Sequence, residues 1–132
     1  MADGQGEGYI LRIHRDEIER QLYGQRMLYV NIKRNWLSNT KLLFIRNNTF
    51  IGSGIVAKFV PVAELQEDEK KICIENNSYG KINFAKLVRF YPAVAVENTS
   101  VADQNTLGLH GASMLLSDAL EIERLANARL II

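Results

Sequence analysis

The residue types that do chemistry are few in this chain and stand far apart. His14 and His110 are the only two histidines. Neither has a cysteine, histidine or carboxylate at the spacing that metal sites use, so both read as surface or hydrogen-bonded histidines and no metal or cofactor is expected. His110, Ser113 and Asp118 supply the three side-chain types of a nucleophilic triad, but no strand-turn-helix elbow surrounds Ser113. Gly52-Ser53-Gly54 is like a fragment of a phosphate loop without the Lys-Ser/Thr that completes one. It lies inside a strand pattern, where paired glycines mark a bulge or a bend. Cys73 alternates with Ile72 and Ile74 and reads as a small packed side chain, not a reactive thiol.

A basic and aromatic cluster remains. Arg26, Tyr29, Lys33, Arg34 and Trp36 lie close together, and Arg46 and Asn48 fall at the next turn with Asn47. Cations hold phosphate oxygens, while rings and guanidinium planes stack on unpaired bases, so the mixture suits single-stranded RNA or an extruded base. A second group, Tyr79, Lys81, Lys86 and Arg89, would add to it if both share one side. The alternative is an ordinary solvated face, with Trp36 anchoring the core.

The elements that must position these residues are mostly strands. Between Arg26 and Thr99 five or six short apolar segments alternate with glycine, asparagine and acidic breaks, the pattern of a small closed β-structure. Tyr9 to Ile13 predicts a first strand. Asp16 to Tyr23 predicts a short helix with acids in its first turn and Gly24 as its stop. Met27 to Lys33 alternates, with Leu28, Val30 and Ile32 on one face. Lys41 to Arg46 is apolar on both faces, as a central strand would be, and Asn47-Asn48 turns into a long strand from Phe50 to Val60. After Pro61, Val62 to Lys70 reads as helix or loop and Lys71 to Glu75 as a short strand. A turn at Asn76 to Gly80 leads to strands at Lys81 to Phe90 and Ala93 to Glu97, which Pro92 separates or places at an edge. Asn98 to Gly111 reads as a loop. Ser117 to Asn127 predicts a closing helix with Asp118 at its N-cap and Glu121 at N3, and with Ala119, Ile122 and Ala126 as its apolar stripe.

With 132 residues the chain makes one domain, 9–132, preceded by a loose polar tail at 1–8. Sixteen Lys and Arg against fifteen Asp and Glu leave a net charge of +1, so any affinity for nucleic acid must come from a local patch and not a global field. One cysteine allows no intramolecular disulfide and suits a reducing compartment. No apolar run approaches the roughly 18 residues of a membrane span, and no secretory segment is evident. A soluble, cytoplasmic protein that does not enter the membrane is expected.

The order of these segments resembles the PUA-like superfamily, which includes PUA, ASCH and EVE domains and some uncharacterised archaeal proteins. The likeness is carried by the short helix ending at Gly24, the strand from Met27, the apolar strand at Leu42 to Arg46, Ile51-Gly52-Ser53-Gly54-Ile55-Val56, and a closing segment near Leu87 to Val96. Leu107-Gly108-Leu109 to Gly111-Ala112, followed by Ser117-Asp118, is similar to the carboxy-terminal end of several archaeal members. The resemblance spans about Tyr9 to Leu125 by layout more than by identities. It implies a mainly β fold with flanking helices (α+β), a PUA-like pseudo-β-barrel, and a cleft beside the barrel that takes RNA or a modified base. The ASCH pattern Gly-x-Lys-x-x-Glu-x-Arg would fall on Gly24, Arg26, Tyr29 and Asn31. Gly24 matches, Arg26 keeps a cation, and Tyr29 stands where the family's Glu would be.

These readings combine into an RNA- or modified-nucleotide-binding module. Arg26, Lys33 and Arg46 would hold phosphate, Tyr29 and Trp36 would stack on a base, and Arg34, Asn48 and Lys81 would complete the interface. A small hydrolase acting on a modified nucleoside is the rival, with Arg26 paired to Glu75 or Glu97. The third reading is a homodimer formed through the C-terminal helix, motivated by the apolar terminus Leu130-Ile131-Ile132.

Overall fold

The structure, a computed structural model, describes residues 7–13, 15–32, 36–99, 113–126 and 128–130. His14, Lys33, Arg34, His110, Ile131, Ile132, residues 1–6 of the expected tail and 100–111 of the expected loop lie outside the described residues.

Among the described residues, seven strands form one curled sheet with three α-helices: an α+β fold, mainly β. The strands are β1 (Glu7–Arg12), β2 (Met27–Val30), β3 (Lys41–Arg46), β4 (Thr49–Pro61), β5 (Gly80–Ala95), β6 (Ser113–Leu115) and β7 (Ala128–Leu130). The helices are α1 (Asp16–Gln25), α2 (Glu67–Asn76) and α3 (Leu116–Leu125). The sheet order is β2-β5-β4-β3-β1-β6, with β7 paired to β5. Among the described strands only β1 and β3 run parallel, as Tyr9↔Leu42 and Leu11↔Phe44. They stand next to each other because the chain leaves β1 through α1 and β2 before it returns as β3.

Both faces of the central strand are buried. Leu42 and Phe44 enter a core under α1 with Leu11, Ile13, Leu22, Leu28, Val30, Trp36, Val56, Ile82, Phe84 and Leu87. Leu43 and Ile45 enter a second core with Phe50, Val88, Phe90, Val94 and Val96, which Ala119 and Ile122 of α3 cover. A sheet with two apolar faces needs a helix on each, and that is what α1 and α3 provide.

Curvature comes from irregular register. Pairing of β4 with β5 shifts between Phe50 and Gly52, Ile55 and Val56, and Val56 and Lys58. Gly52 sits in the first shift, where a Cβ would collide with the Tyr23 hydroxyl and the Val88 carbonyl oxygen. The bare backbone there lets α1 lie directly on the sheet, and Tyr23 Oη donates to the Ile51 carbonyl at 3.2 Å. Asn47 and Asn48 both hold positive φ (52° and 61°), the conformation a tight two-residue hairpin requires.

Several boundaries differ from the sequence expectation. β1 begins at Glu7, two residues inside the expected tail, and β2 stops at Val30. Gly24 lies within α1, and Arg26 takes the left-handed terminal conformation (φ 60°) in its place. Residues Lys71 to Glu75 are helical, as the second half of α2. Ile72 and Ile74 alternate like a strand, yet Ile74 is 72% exposed while Cys73 is fully buried. What decides the helix is that Glu69 and Cys73, four apart, share the face packed against the sheet. β5 runs through Pro92 as one strand, the proline sitting in the stretch between Arg89 and Val94, the β5 partners of Gly52 and Phe50. α3 begins at Leu116, so Asp118 lies inside its first turn and not at the N-cap.

Candidate functional site

β1 and β2 are near opposite ends of the sheet order, yet α1 joins them directly in sequence. The sheet curls until both border one cleft of about 560 Å³. Leu11 and Arg12 of β1, Leu28 to Asn31 at β2, the first half of α1 and the last turn of α2 line it. This volume falls within the usual range of small-molecule sites.

The lining divides by chemistry. Leu11, Ile18, Leu28, Val30 and Ile72 supply apolar surface, and Tyr29 is the one aromatic among the described lining residues. Gln21, Asn31, Asn76, Asn77 and Ser78 supply amides and a hydroxyl, with Arg12 and Arg15 against Glu17 and Glu75. Formal charges on the described lining residues therefore cancel. Amides carry both donors and acceptors, the equipment needed to read the edge of a planar heterocycle.

Local folding explains how these groups reach the cleft. Along α1, Arg15, Ile18 and Gln21 recur every three residues and so share a flank. At the end of α2, Asn77 takes the left-handed conformation (φ 56°), and the Ser78 N–H donates to the Cys73 carbonyl at 2.8 Å. This closure of the helix terminus turns the chain, and the Tyr79 N–H then donates to the Val30 carbonyl at 2.7 Å.

Tyr29 is fixed from behind. Its hydroxyl donates to Glu69 Oε2 at 3.0 Å, and Lys81 Nζ donates to the same oxygen at 2.7 Å. Tyr29 and Lys81 are also direct cross-strand neighbours. The Lys81 ammonium, with help from the Tyr29 hydroxyl, holds the Glu69 carboxyl below its ordinary range. Burial first, then the hydrogen bond to Glu69, pushes the Tyr29 hydroxyl well above the usual phenol value.

The structure brings together only part of the sequence-derived cluster. Tyr29 and Lys81 meet through Glu69. Trp36 is 5% exposed and packed edge-to-face on Tyr9 with ring centroids 5.4 Å apart, so its ring fills the core under α1. Arg46 points to α1, where its guanidinium is bonded to Asp16 and, at 2.7 Å, to Glu19 Oε1. Those hydrogen bonds, from Glu19 first and then Asp16, raise its pKa, and the bond to Arg46 lowers that of Asp16. A cation held by two carboxylates has little charge left for phosphate. Asn48 sits at the exposed hairpin tip, where its carbonyl accepts from the Val96 N–H at 2.9 Å. Arg26 is exposed at the end of α1, and no ion pair joins it to Glu75 or Glu97. In the second group, Arg89 is engaged by α1 and Lys81 by Glu69, while Tyr79 and Lys86 are exposed.

A separate polar lock holds α3. Glu123 accepts from Lys41 Nζ on both oxygens (2.9 and 3.0 Å) and from the buried Ser53 hydroxyl at 2.7 Å. Ser53, flanked by two glycines, thus anchors α3 to the face of the sheet that it covers. Burial raises the Cys73 thiol pKa and suppresses its reactivity.

Among the described residues, no group of three or more His, Cys, Asp and Glu could hold a metal ion, and no helix is long and apolar enough to cross a membrane. Compared with known proteins, the chain matches no family model, no curated protein and no solved structure.

Proposed function

We propose that this chain is a binding module for RNA or a modified nucleotide, built as a PUA-like pseudo-barrel, with the base held in the cleft between α1 and α2. The observation that carries the reading is the cleft itself: a volume of about 560 Å³ with apolar surface, one fixed tyrosine ring, and five amide or hydroxyl side chains beside two guanidinium groups. A base can lie against the apolar wall and Tyr29 while the amides pair with its edge. The position of the cleft, beside a strongly curled sheet and between its flanking helices, agrees with the resemblance in layout. A cytoplasmic location belongs to the same reading.

The binding groups in this proposal are Tyr29, Gln21, Asn31, Asn76, Asn77 and Ser78, with Arg12 and Arg15 as cations. Arg26, exposed at the end of α1, remains a candidate for phosphate, as do Lys33 and Arg34, which lie outside the described residues. Replacement of Gln21 and Arg15 together by alanine tests it, since both lie on one flank of α1 away from its core-facing Leu22. Affinity for a short single-stranded RNA should fall at least tenfold with folding stability preserved. Unchanged affinity in that variant would refute the placement.

One observation favours the hydrolase reading: Glu75 and Glu17 both line the cleft, so carboxylates stand where a bound nucleoside would lie. Release of acid from acylated nucleosides by the purified protein, abolished by Glu75→Gln, would establish it. No turnover across a panel of such nucleosides would dismiss it.

A further inference from the structure

The α2 wall of the cleft carries an acid that the proposed function leaves without a role. Ile72, Glu75 and Asn76 all line the cleft, and their spacing of three and four residues puts them on one face of α2. Of the other charged lining groups, Glu17 has Arg15 beside it at 3.7 Å, and Arg12 and Arg15 serve a phosphate. Lys71 stands one turn before Glu75, yet among the described residues no salt bridge reaches Glu75. It also lies in the last turn of α2, which has no basic residue, where the carbonyl end of a helix disfavours an acid. A local rule broken at the wall of a cleft points to a ligand that offsets it. Charge balance gives the sign of that ligand group. Formal charges on the described lining residues cancel while the cleft is empty, so a phosphate brought in by a nucleotide leaves an excess of negative charge.

We infer that the base held in the cleft carries an amine protonated near neutral pH, and that Glu75 selects it. The inference rests on the proposed function and narrows its ligand from modified nucleotides in general to those with a cationic base. An ammonium group has several donors and no acceptor, and the α2 wall offers it acceptors. The Glu75 carboxylate supplies a charge-assisted hydrogen bond. Asn76 donates through Nδ2 to the Ile72 carbonyl at 2.9 Å, which leaves its Oδ1 as an acceptor next to that carboxylate. Room for the substituent is present, because a cleft of about 560 Å³ is of the size that takes drug-like ligands, which are larger than a bare base. A neutral substituent of the same shape fits the space but forms only the weaker, uncharged hydrogen bond there.

The test titrates two analogues of uridine monophosphate, one with an aminomethyl and one with a hydroxymethyl group on the base, into the wild type and Glu75→Gln, followed by calorimetry. The readout is the ratio of the two affinities within one protein, which a partial loss of folded material does not change. Near neutral pH the wild type should bind the aminomethyl analogue about tenfold more tightly. That preference should shrink as salt is raised and vanish above the pKa of the amine, while Glu75→Gln should bring the ratio close to one. Equal affinities in the wild type refute the inference and leave the cleft as a binding site. A preference that survives in Glu75→Gln refutes selection by Glu75, and equal loss of both ligands in that variant counts against it in the same way. A wild type that binds neither analogue refutes the inference together with the function on which it rests.

Discussion

Replacing Glu69 by glutamine tests whether charge holds the aromatic wall of the cleft. In the native protein one carboxylate oxygen accepts from the Tyr29 hydroxyl at 3.0 Å and from the Lys81 ammonium at 2.7 Å. Hydrogen bonds to charged groups contribute roughly 1.5–3 kcal/mol each where they are buried. Here the Lys81 and Glu69 side chains keep 19% and 20% of their exposure, so solvent screening moves the value toward the lower end. Glutamine keeps one acceptor for the two donors and removes the charge opposite Lys81. A loss of about 1–2 kcal/mol follows, seen as a fall of about 1 M or less in the urea midpoint near neutral pH.

The same substitution has a pH signature. The Glu69 carboxyl is held below its ordinary value in the folded protein, so its contribution is present above the ordinary carboxylate pKa. It disappears as the pH falls through the lowered folded value. Urea melts of the two proteins should therefore differ at neutral pH and converge toward acid. A glutamine variant with the wild-type midpoint at pH 7, or one that loses stability toward acid by the same amount, would refute the tether.

Three other outcomes follow from the structure. Gly52→Ala sets a methyl against the Tyr23 hydroxyl and the Val88 carbonyl, so it should cost roughly 1–3 kcal/mol or more in a urea melt; a neutral result would show that α1 does not lie that close to the sheet. Glu123→Ala removes the acceptor shared by Lys41 and Ser53 and should destabilise the fold by about 2–3 kcal/mol, with Ser53→Ala costing less; equal costs would mean the ion pair adds nothing. Trp36, packed against Tyr9 at 5% exposure, should emit at short wavelength and resist acrylamide quenching, and ready quenching would place it at the surface.

The sheet was legible because its signals are local. Lys41 to Arg46 shows on its face that it is buried on both sides, Asn47-Asn48 announces a tight turn, and Gly52 marks one of the register shifts that curl the sheet. The second half of α2 was not legible, because Ile72-Cys73-Ile74 has a strand's alternation and the deciding contacts, Glu69 with Tyr29 and Lys81, are long-range. The candidate site was harder still. Its amides stand at Gln21, Asn31 and Asn76-Asn77, and they share a cleft only because the ends of the sheet curl toward each other. Nothing in their spacing carries that. Conversely, Arg46 and Trp36 are residue types suited to RNA, and the fold uses one to hold α1 and the other to fill the core.

Proposed binding in the cleft is tested most directly by following the backbone amide resonances of the ¹⁵N-labelled protein during titration with ribonucleosides and their monophosphates. The account predicts saturable shifts concentrated at Arg15, Gln21, Asn31 and Asn76 to Ser78, with the resonances of α3 unmoved. Shifts confined to the α3 face, around Leu120 and Leu125, or none with any nucleoside, would contradict it.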